Sequence, residues 1–200
     1  ALASRNKEAL TQVETEIRNR GSAAICIPTD VSSAVQVDTM IKQTTQQLGP
    51  VDLLINNAGV VIRRPITETE ETMWDHIVNT NLKGTFLCTK AVLPTMMHRK
   101  FGRIVNVSSI SGTTGTSQLS AYCASKWGII GFTKATAEET RCYGVHVFAV
   151  CPGSVNTKML SQGLPGAKPD MEPKSIADVI VYLATEAPTA MTGASIDVFG

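Results

Sequence analysis

The stretch GRIVNVSS, residues 102–109, decides how this chain is read. Arg103-Ile104-Val105-Asn106-Val107 is short, β-branched and almost continuously apolar. That composition marks a strand covered on both faces. The run ends abruptly in Ser108-Ser109-Ile110-Ser111-Gly112, a polar turn. Four other runs have the same character: Ala23–Ile27, Val51–Ile55, Val145–Val150 and Ala194–Val198. Each is flanked by Gly, Pro, Asn or Asp, so each is expected to be a strand. Ala1-Leu2-Ala3 reads as the end of one more.

Longer segments with helical periodicity separate these runs. Residues 6–19 carry Leu10, Val13 and Ile17 on one stripe, and residues 33–48 carry Val37, Met40, Ile41 and Leu48 on another. Thr67-Glu68-Thr69-Glu70 has the form of a capping box and is expected to start the helix with Met73, Trp74 and Ile77. Further helices are expected over about 82–98, with Pro94 loosening the last turns, and over 121–142 and 175–185. Ser161–Pro173, with three prolines and two glycines, is expected to be a mobile loop.

Alternation of buried strands with helices predicts an α/β fold. Its core would be a doubly wound parallel sheet with helices on both faces, in one domain over residues 1–200. Ligands in such folds bind at the carboxyl ends of the strands. Three strand ends here lead into polar or glycine-bearing turns: Asn56-Asn57-Ala58-Gly59, Ser108 to Gly112, and Cys151-Pro152-Gly153.

Bulk composition narrows the partners. Net charge is +1, from 18 basic and 17 acidic residues, with no block of one sign. Neither nucleic acid nor an anionic membrane is therefore expected as the main partner. No apolar run approaches the ~20 residues that span a bilayer. The five cysteines are scattered, with no C-x-x-C pair, as expected of free thiols in a cytoplasmic protein. His76, His98 and His146 lack metal-ligand spacing, so no metal site is expected.

Tyr122 and Lys126 are four apart on an expected helix and so share a face. Alone, that spacing fits equally a packed tyrosine beside a solvated lysine. Ser109 lies thirteen residues upstream of Tyr122, just past a strand end, and Asn81 lies near the junction of two helices.

With INNAG at 55–59, NTNLKGTF at 79–86, GRIVNVSS at 102–109, YCASK at 122–126, CPGSVNT at 151–157 and TGASIDVFG at 192–200, the chain resembles the short-chain dehydrogenase/reductase family. The resemblance implies a Rossmann-like fold and an NAD(P)-dependent reaction at a CH–OH group. Tyr122 would be the general acid/base. Lys126 would favour its phenolate, Ser109 would hydrogen-bond the substrate oxygen, and Asn81 would hold a water behind Lys126. Ser108 is the rival to Ser109, but is expected to face the other way. For the cofactor, the resemblance implies contacts from Asp30 and Val31 to adenine and from Asn57, Ala58 and Gly59 to the adenosine side. Pro152 and Gly153 would shape the turn beside the nicotinamide. Val155 and Thr157 would hold its carboxamide and the pyrophosphate, and Tyr122 and Lys126 would also touch the cofactor. Asn56 is read equally as a brace between strands.

Arg5 follows Ala1-Leu2-Ala3, which the resemblance makes the second strand of the family's fold, and the end of that strand reads the adenosine ribose. A carboxylate there suits NAD, and a basic residue suits the 2′-phosphate of NADP. Ser4-Arg5-Asn6 has no carboxylate before Glu8, which favours NADP(H) over NAD(H). The plain alternative is an exposed arginine on a helix's first turn.

One family feature is missing. The glycine-rich turn between the first strand and first helix does not occur, and the chain is expected to lack an N-terminal βα unit. Without its strand, the neighbours on either side would show unpaired backbone edges.

The expected function is reduction of a ketone or oxidation of a secondary alcohol, with 3-oxoacyl-carrier-protein reductases the nearest family likeness. A sugar or sugar-acid dehydrogenase of gluconate type is the alternative, since Arg63 and Arg64 could meet an acidic substrate. A non-catalytic oligomerising homologue is the alternative of another class. A homo-oligomer, tetramer or dimer, is implied by the family.

Overall fold

The computed structural model describes all residues from Ala1 to Gly200. Strands and helices alternate: β1 (Leu2–Ser4), α1 (Lys7–Asn19), β2 (Cys26–Pro28), α2 (Ala34–Leu48), β3 (Leu53–Asn56), α3 (Glu71–Val78) and α4 (Gly84–Arg99) come first. Then follow β4 (Gly102–Val107), α5 (Ser120–Thr140), β5 (Val145–Pro152), α6 (Lys158–Gly163), α7 (Pro173–Thr185) and β6 (Ser195–Val198). Every strand pair is parallel, as the helical crossovers require.

The apolar runs 103–107 and 145–150 are the two central strands, in register from Gly102 opposite Val145 to Val107 opposite Val150. Their alternating residues feed two cores, one on each face. Ile104, Val145 and Val147 pack with Val92 and Met96 of α4 and Ala137 of α5. Val105, Phe148 and Val150 pack with Ile176 and Leu183 of α7. Helices therefore cover both faces, and the doubly wound α/β expectation holds.

Local chemistry sets the helix starts. The Asn6 side chain accepts a hydrogen bond from the Ala9 N–H, and Ser33 Oγ accepts one from the Gln36 N–H, each relieving an orphan donor. The capping box expected at 67–70 does not form. Ile66–Glu68 closes a 3₁₀ turn after Pro65, which takes Thr67 into helical geometry and removes it as an extended cap. The helix starts at Glu71, behind Glu70, whose side chain makes no capping bond. A π-helical turn, Asn79–Lys83, joins α3 to α4, which runs through Pro94 to Arg99.

The segment expected to be a mobile loop is partly ordered as well. It overlaps the end of α6, and it returns at Met171 to pair with residues 154–156. The Asn156 N–H donates to the Met171 carbonyl at 2.9 Å, and the Met171 N–H donates to the Ser154 carbonyl at 3.1 Å.

The strands form two sheets, β1-β2 and β3-β4-β5-β6. No ladder joins β1 to β3. Leu53 and Ile55 of β3 stand 38% and 43% exposed, unusual for apolar strand residues beside a core. The two sheets are held in one body by α2, whose Val37 and Met40 bury Ile27 of β2 together with Cys88 of α4.

Candidate active site

Helix α5 brings the candidate residues together. Its buried side includes Tyr122, Ser125, Lys126 and Ile129, so it lies deep against β4 and β5 rather than on the surface. Tyr122 and Lys126 stand one turn apart, with the Lys126 Nζ 5.5 Å from the Tyr122 ring centroid. Nζ donates to the Val107 carbonyl at 2.8 Å. Burial draws the Lys126 ammonium down from 10.5 to about 8. Burial pushes the Tyr122 phenol up, and the Ser109 hydroxyl facing it opposes part of that rise. The lysine thus stands over the tyrosine ring and makes no hydrogen bond to its hydroxyl.

Ser108 and Ser109 separate cleanly. Ser108 is buried, and its hydroxyl donates to the Lys126 carbonyl at 2.8 Å, away from the Tyr122 hydroxyl. Ser109, at the carboxyl end of β4, accepts from the Ser111 N–H at 3.1 Å and caps the 3₁₀ turn Ile110–Gly112. Gly112 makes this approach possible. A Cβ there would lie 2.7 Å from Ser108 Oγ and 2.9 Å from the Lys126 carbonyl oxygen.

Asn81 is tied into the fold by its own amide. It sits on the π-helical turn, a distortion common at functional sites, and is fully buried. Its Oδ1 accepts from the Val60 N–H at 2.8 Å, and its Nδ2 donates to the Val60 carbonyl and to Ser125 Oγ, each at 3.0 Å. Its carbonyl accepts from the Thr85 hydroxyl at 2.8 Å. Protein groups use both amide hydrogens. The side chain therefore braces the turn after β3 against α5.

Asn56 is a brace too. Its Nδ2 donates to Thr89 Oγ1 at 3.1 Å and to Asn106 Oδ1 at 2.8 Å, and Asn106 Nδ2 donates to Thr133 Oγ1 at 2.9 Å. This buried polar row links α4, β3, β4 and α5. Sequence reading missed Asn106; the available signal was an amide inside an otherwise apolar strand, where an unpaired polar group is costly.

The remaining expected cofactor residues fall into two groups. Asn57, Ala58 and Gly59 follow β3, and Gly59 faces Asn81 and the Lys126 Nζ. Pro152, Gly153 and Val155 follow the centre of β5, while Thr157 accepts from the Leu160 N–H and caps α6. Across the unpaired gap, Arg5 and Asp30 stand at the carboxyl ends of β1 and β2. Hydrogen bonds from the Ser32 hydroxyl and N–H, at 2.7 and 2.9 Å, hold the Asp30 carboxyl below its usual range, aided by the Arg5 charge. The Val31 side chain packs on α4, where a Cβ on Gly84 would meet its Cγ2 at 2.7 Å. Arg5 is exposed and has no carboxylate within 4.0 Å.

Sequence reading also missed Met159, on α6. The Tyr122 hydroxyl points at its Sδ, 3.8 Å away.

A family model described as short chain dehydrogenase matches residues 1–166. The chain belongs to the short-chain dehydrogenase family. As a member, it is an NAD(P)-dependent oxidoreductase. It is 37% identical over 197 residues to a 3-oxoacyl-[acyl-carrier-protein] reductase of Synechocystis, a match covering 94% of this chain and 79% of that protein. A Staphylococcus epidermidis reductase of the same name is 34% identical over 98% of this chain and 84% of its own length. Among solved structures, a putative gluconate dehydrogenase from Agrobacterium tumefaciens superposes with a TM-score of 0.92 at 27% identity, covering 98% of this chain and 82% of that one. A point variant of the actinorhodin polyketide ketoreductase, solved with NADPH, also gives 0.92, at 32% identity, covering 99% and 85%.

Proposed function

We propose that this chain interconverts a ketone and a secondary alcohol with NADP(H), and that its substrate class is the 3-oxoacyl thioesters. The observation that carries the reading is the buried arrangement of Tyr122 and Lys126 beside Ser109 at the carboxyl end of β4. When bound, the nicotinamide supplies or accepts the hydride. In the reductive direction the Tyr122 O–H gives its proton to the substrate oxygen as negative charge develops there. The Ser109 hydroxyl donates a hydrogen bond to the same oxygen. The Lys126 ammonium, over the ring face, stabilises the phenolate left behind. In a site this buried that Coulomb attraction is stronger than in water.

The residues fit the cofactor. The unpaired Arg5 guanidinium would meet a 2′-phosphate, with Asp30 beside it for the adenine amino group. Asn57, Ala58 and Gly59, with Pro152, Gly153, Val155 and Thr157, would line the path to Tyr122 and Lys126. Similarity to 3-oxoacyl reductases and to a ketoreductase crystallised with NADPH supports both halves of the reading.

Steady-state rates on acetoacetyl thioesters, each with NADPH and NADH, test it. Turnover of the thioesters with NADPH preferred is the expected result. Oxidation of hexonates in their place would favour a sugar-acid dehydrogenase, the reading supported by the gluconate-dehydrogenase likeness. Absence of NADPH binding in a fluorescence titration would favour a non-catalytic homologue.

We also infer a homo-oligomer. Phe86 and Trp127, 40% and 54% exposed on α4 and α5, leave an apolar face that a second copy would cover. Light scattering on the purified protein checks the mass.

A further inference from the structure

Three loops meet at one side chain beside the site. Arg63 lies on the segment after β3. Its Nε donates to Gln118 Oε1 at 3.0 Å, and its Nη1 donates to the Gly163 carbonyl at 3.1 Å. Gln118 belongs to the loop before α5, and Gly163 is the last residue of α6. Its backbone is held too, since the Arg64 N–H donates to the Gln118 carbonyl at 2.9 Å. Gln118 has φ +65°, a left-handed conformation that residues other than glycine adopt only when their surroundings hold them there.

Helix α6 has six residues, too few to be stable by itself. Its last carbonyls have no intrahelical donors, and a guanidinium at that end satisfies one of them and complements the helix dipole. The fit is close: a Cβ on Gly163 would stand 3.2 Å from Val61 Cγ2, two residues before Arg63. The first turn of α6 carries Met159. Its Sδ lies 3.8 Å from the Tyr122 hydroxyl, and its Cε lies 3.7 Å from where a Cβ on Gly59 would be. Met159 thus lies against the Tyr122 hydroxyl, where the proposed reaction would bring a substrate oxygen.

We propose that Arg63 is a positioning residue that latches α6 over the site and holds Met159 on Tyr122, so that it sets how bulky a substrate is admitted. The proposal rests on the reading that Tyr122 delivers the proton. It also reassigns Arg63. A side chain spent on Gln118 and Gly163 is not a free contact for an acidic substrate. Arg64, exposed and without a carboxylate partner, remains free for one.

The test combines hydrogen exchange with kinetics, on wild type and on Arg63→Ala and Arg63→Lys. Arg63→Ala is expected to speed amide exchange across residues 158–164 about tenfold, the effect of losing a charge-assisted hydrogen bond. Exchange in β4 and β5 stays unchanged. Arg63→Lys, which can reach one acceptor but not both, falls between. In turnover, Arg63→Ala is expected to raise the ratio of kcat/KM for a long 3-oxoacyl thioester over a four-carbon one by a similar factor, chiefly through KM. Unchanged exchange in α6, or equal acceleration in β4 and β5, overturns the latch. Faster exchange in α6 with an unchanged ratio overturns its role in selectivity. Faster exchange with no turnover of any ketone by the wild type leaves the latch standing and refutes the proposed reaction instead.

Discussion

Replacing Lys126 by methionine is expected to stabilise the protein at pH 7 while abolishing its activity. Burial holds the Lys126 ammonium at about 8 against 10.5 for the free side chain. The unfolded chain therefore keeps the proton to higher pH than the folded one. Below about pH 8 both states are charged, and the folded state bears the whole desolvation cost. Between about pH 8 and 10.5 the folded state sheds the proton first, so wild-type stability from this group rises with pH. The gap corresponds to about 3 kcal/mol. Methionine keeps the length of the side chain and removes the charge. It also leaves the Val107 carbonyl, now 2.8 Å from Nζ, without that donor. That loss costs about 1 kcal/mol. Lys126→Met is thus expected to be about 2 kcal/mol more stable than wild type at pH 7. By about pH 11 the order reverses, because a neutral lysine still bonds Val107 and methionine does not. Urea unfolding of both proteins at pH 7 and near pH 10.5 measures the difference, and effects of other groups cancel between the two. A variant less stable than wild type at pH 7, or a difference that does not move with pH, would refute the reasoning.

Tyr122→Phe removes the phenolic proton without changing the packing around Ile77 and Leu119. It is expected to lower kcat by about 10²–10⁴-fold with the unfolding midpoint nearly unchanged, as steady-state rates and a thermal melt would show. Arg5→Asp places a carboxylate where the adenosine ribose is read. NADPH affinity should fall tenfold or more and NADH affinity should not, and titration by nicotinamide fluorescence decides it. Gly112→Ala forces a methyl to within 2.7 Å of Ser108 Oγ and 2.9 Å of the Lys126 carbonyl. It is expected to cost about 1–3 kcal/mol in denaturant unfolding and to lower kcat by displacing α5.

The parts of this molecule legible in its sequence are those fixed by short-range patterns. Apolar runs at 103–107 and 145–150 predict buried strands because nothing else can lie between two helical layers. Tyr122 and Lys126 share a face by helical period alone. The helix start near residue 67 was misread because a capping box is a local signal, and the 3₁₀ turn after Pro65 competes for the same residues. The bracing partners of Asn81 were opaque for a longer-range reason. Its amide meets Val60 only because a turn 21 residues upstream folds back against it. Arg63 and Met159 were opaque for the same reason. Their partners, Gln118, Gly163 and Tyr122, are brought near only by the convergence of three strand ends.

That convergence explains why the site carries so many buried polar groups. A buried hydroxyl or amide is tolerated only when bonded, and each bond fixes one element against another. Lys126 is tied to β4 at both its ends, by its carbonyl to Ser108 and by its Nζ to the Val107 carbonyl. Val107, the last residue of β4, and Ser108 just beyond it immediately precede Ser109. The rung that holds α5 therefore also sets where Tyr122 stands relative to Ser109, and a slip of the helix by one residue would break both bonds. Asn56, Asn106 and Thr133 repeat the device one layer deeper, between β3, β4 and α5. An apolar core of equal volume could hold these elements together; we infer that it would specify the register of α5 less sharply than directional bonds do. The proposed proton transfer would need Tyr122 and Ser109 placed within a fraction of an ångström, and directional bonds at the strand ends favour that precision more than close packing alone.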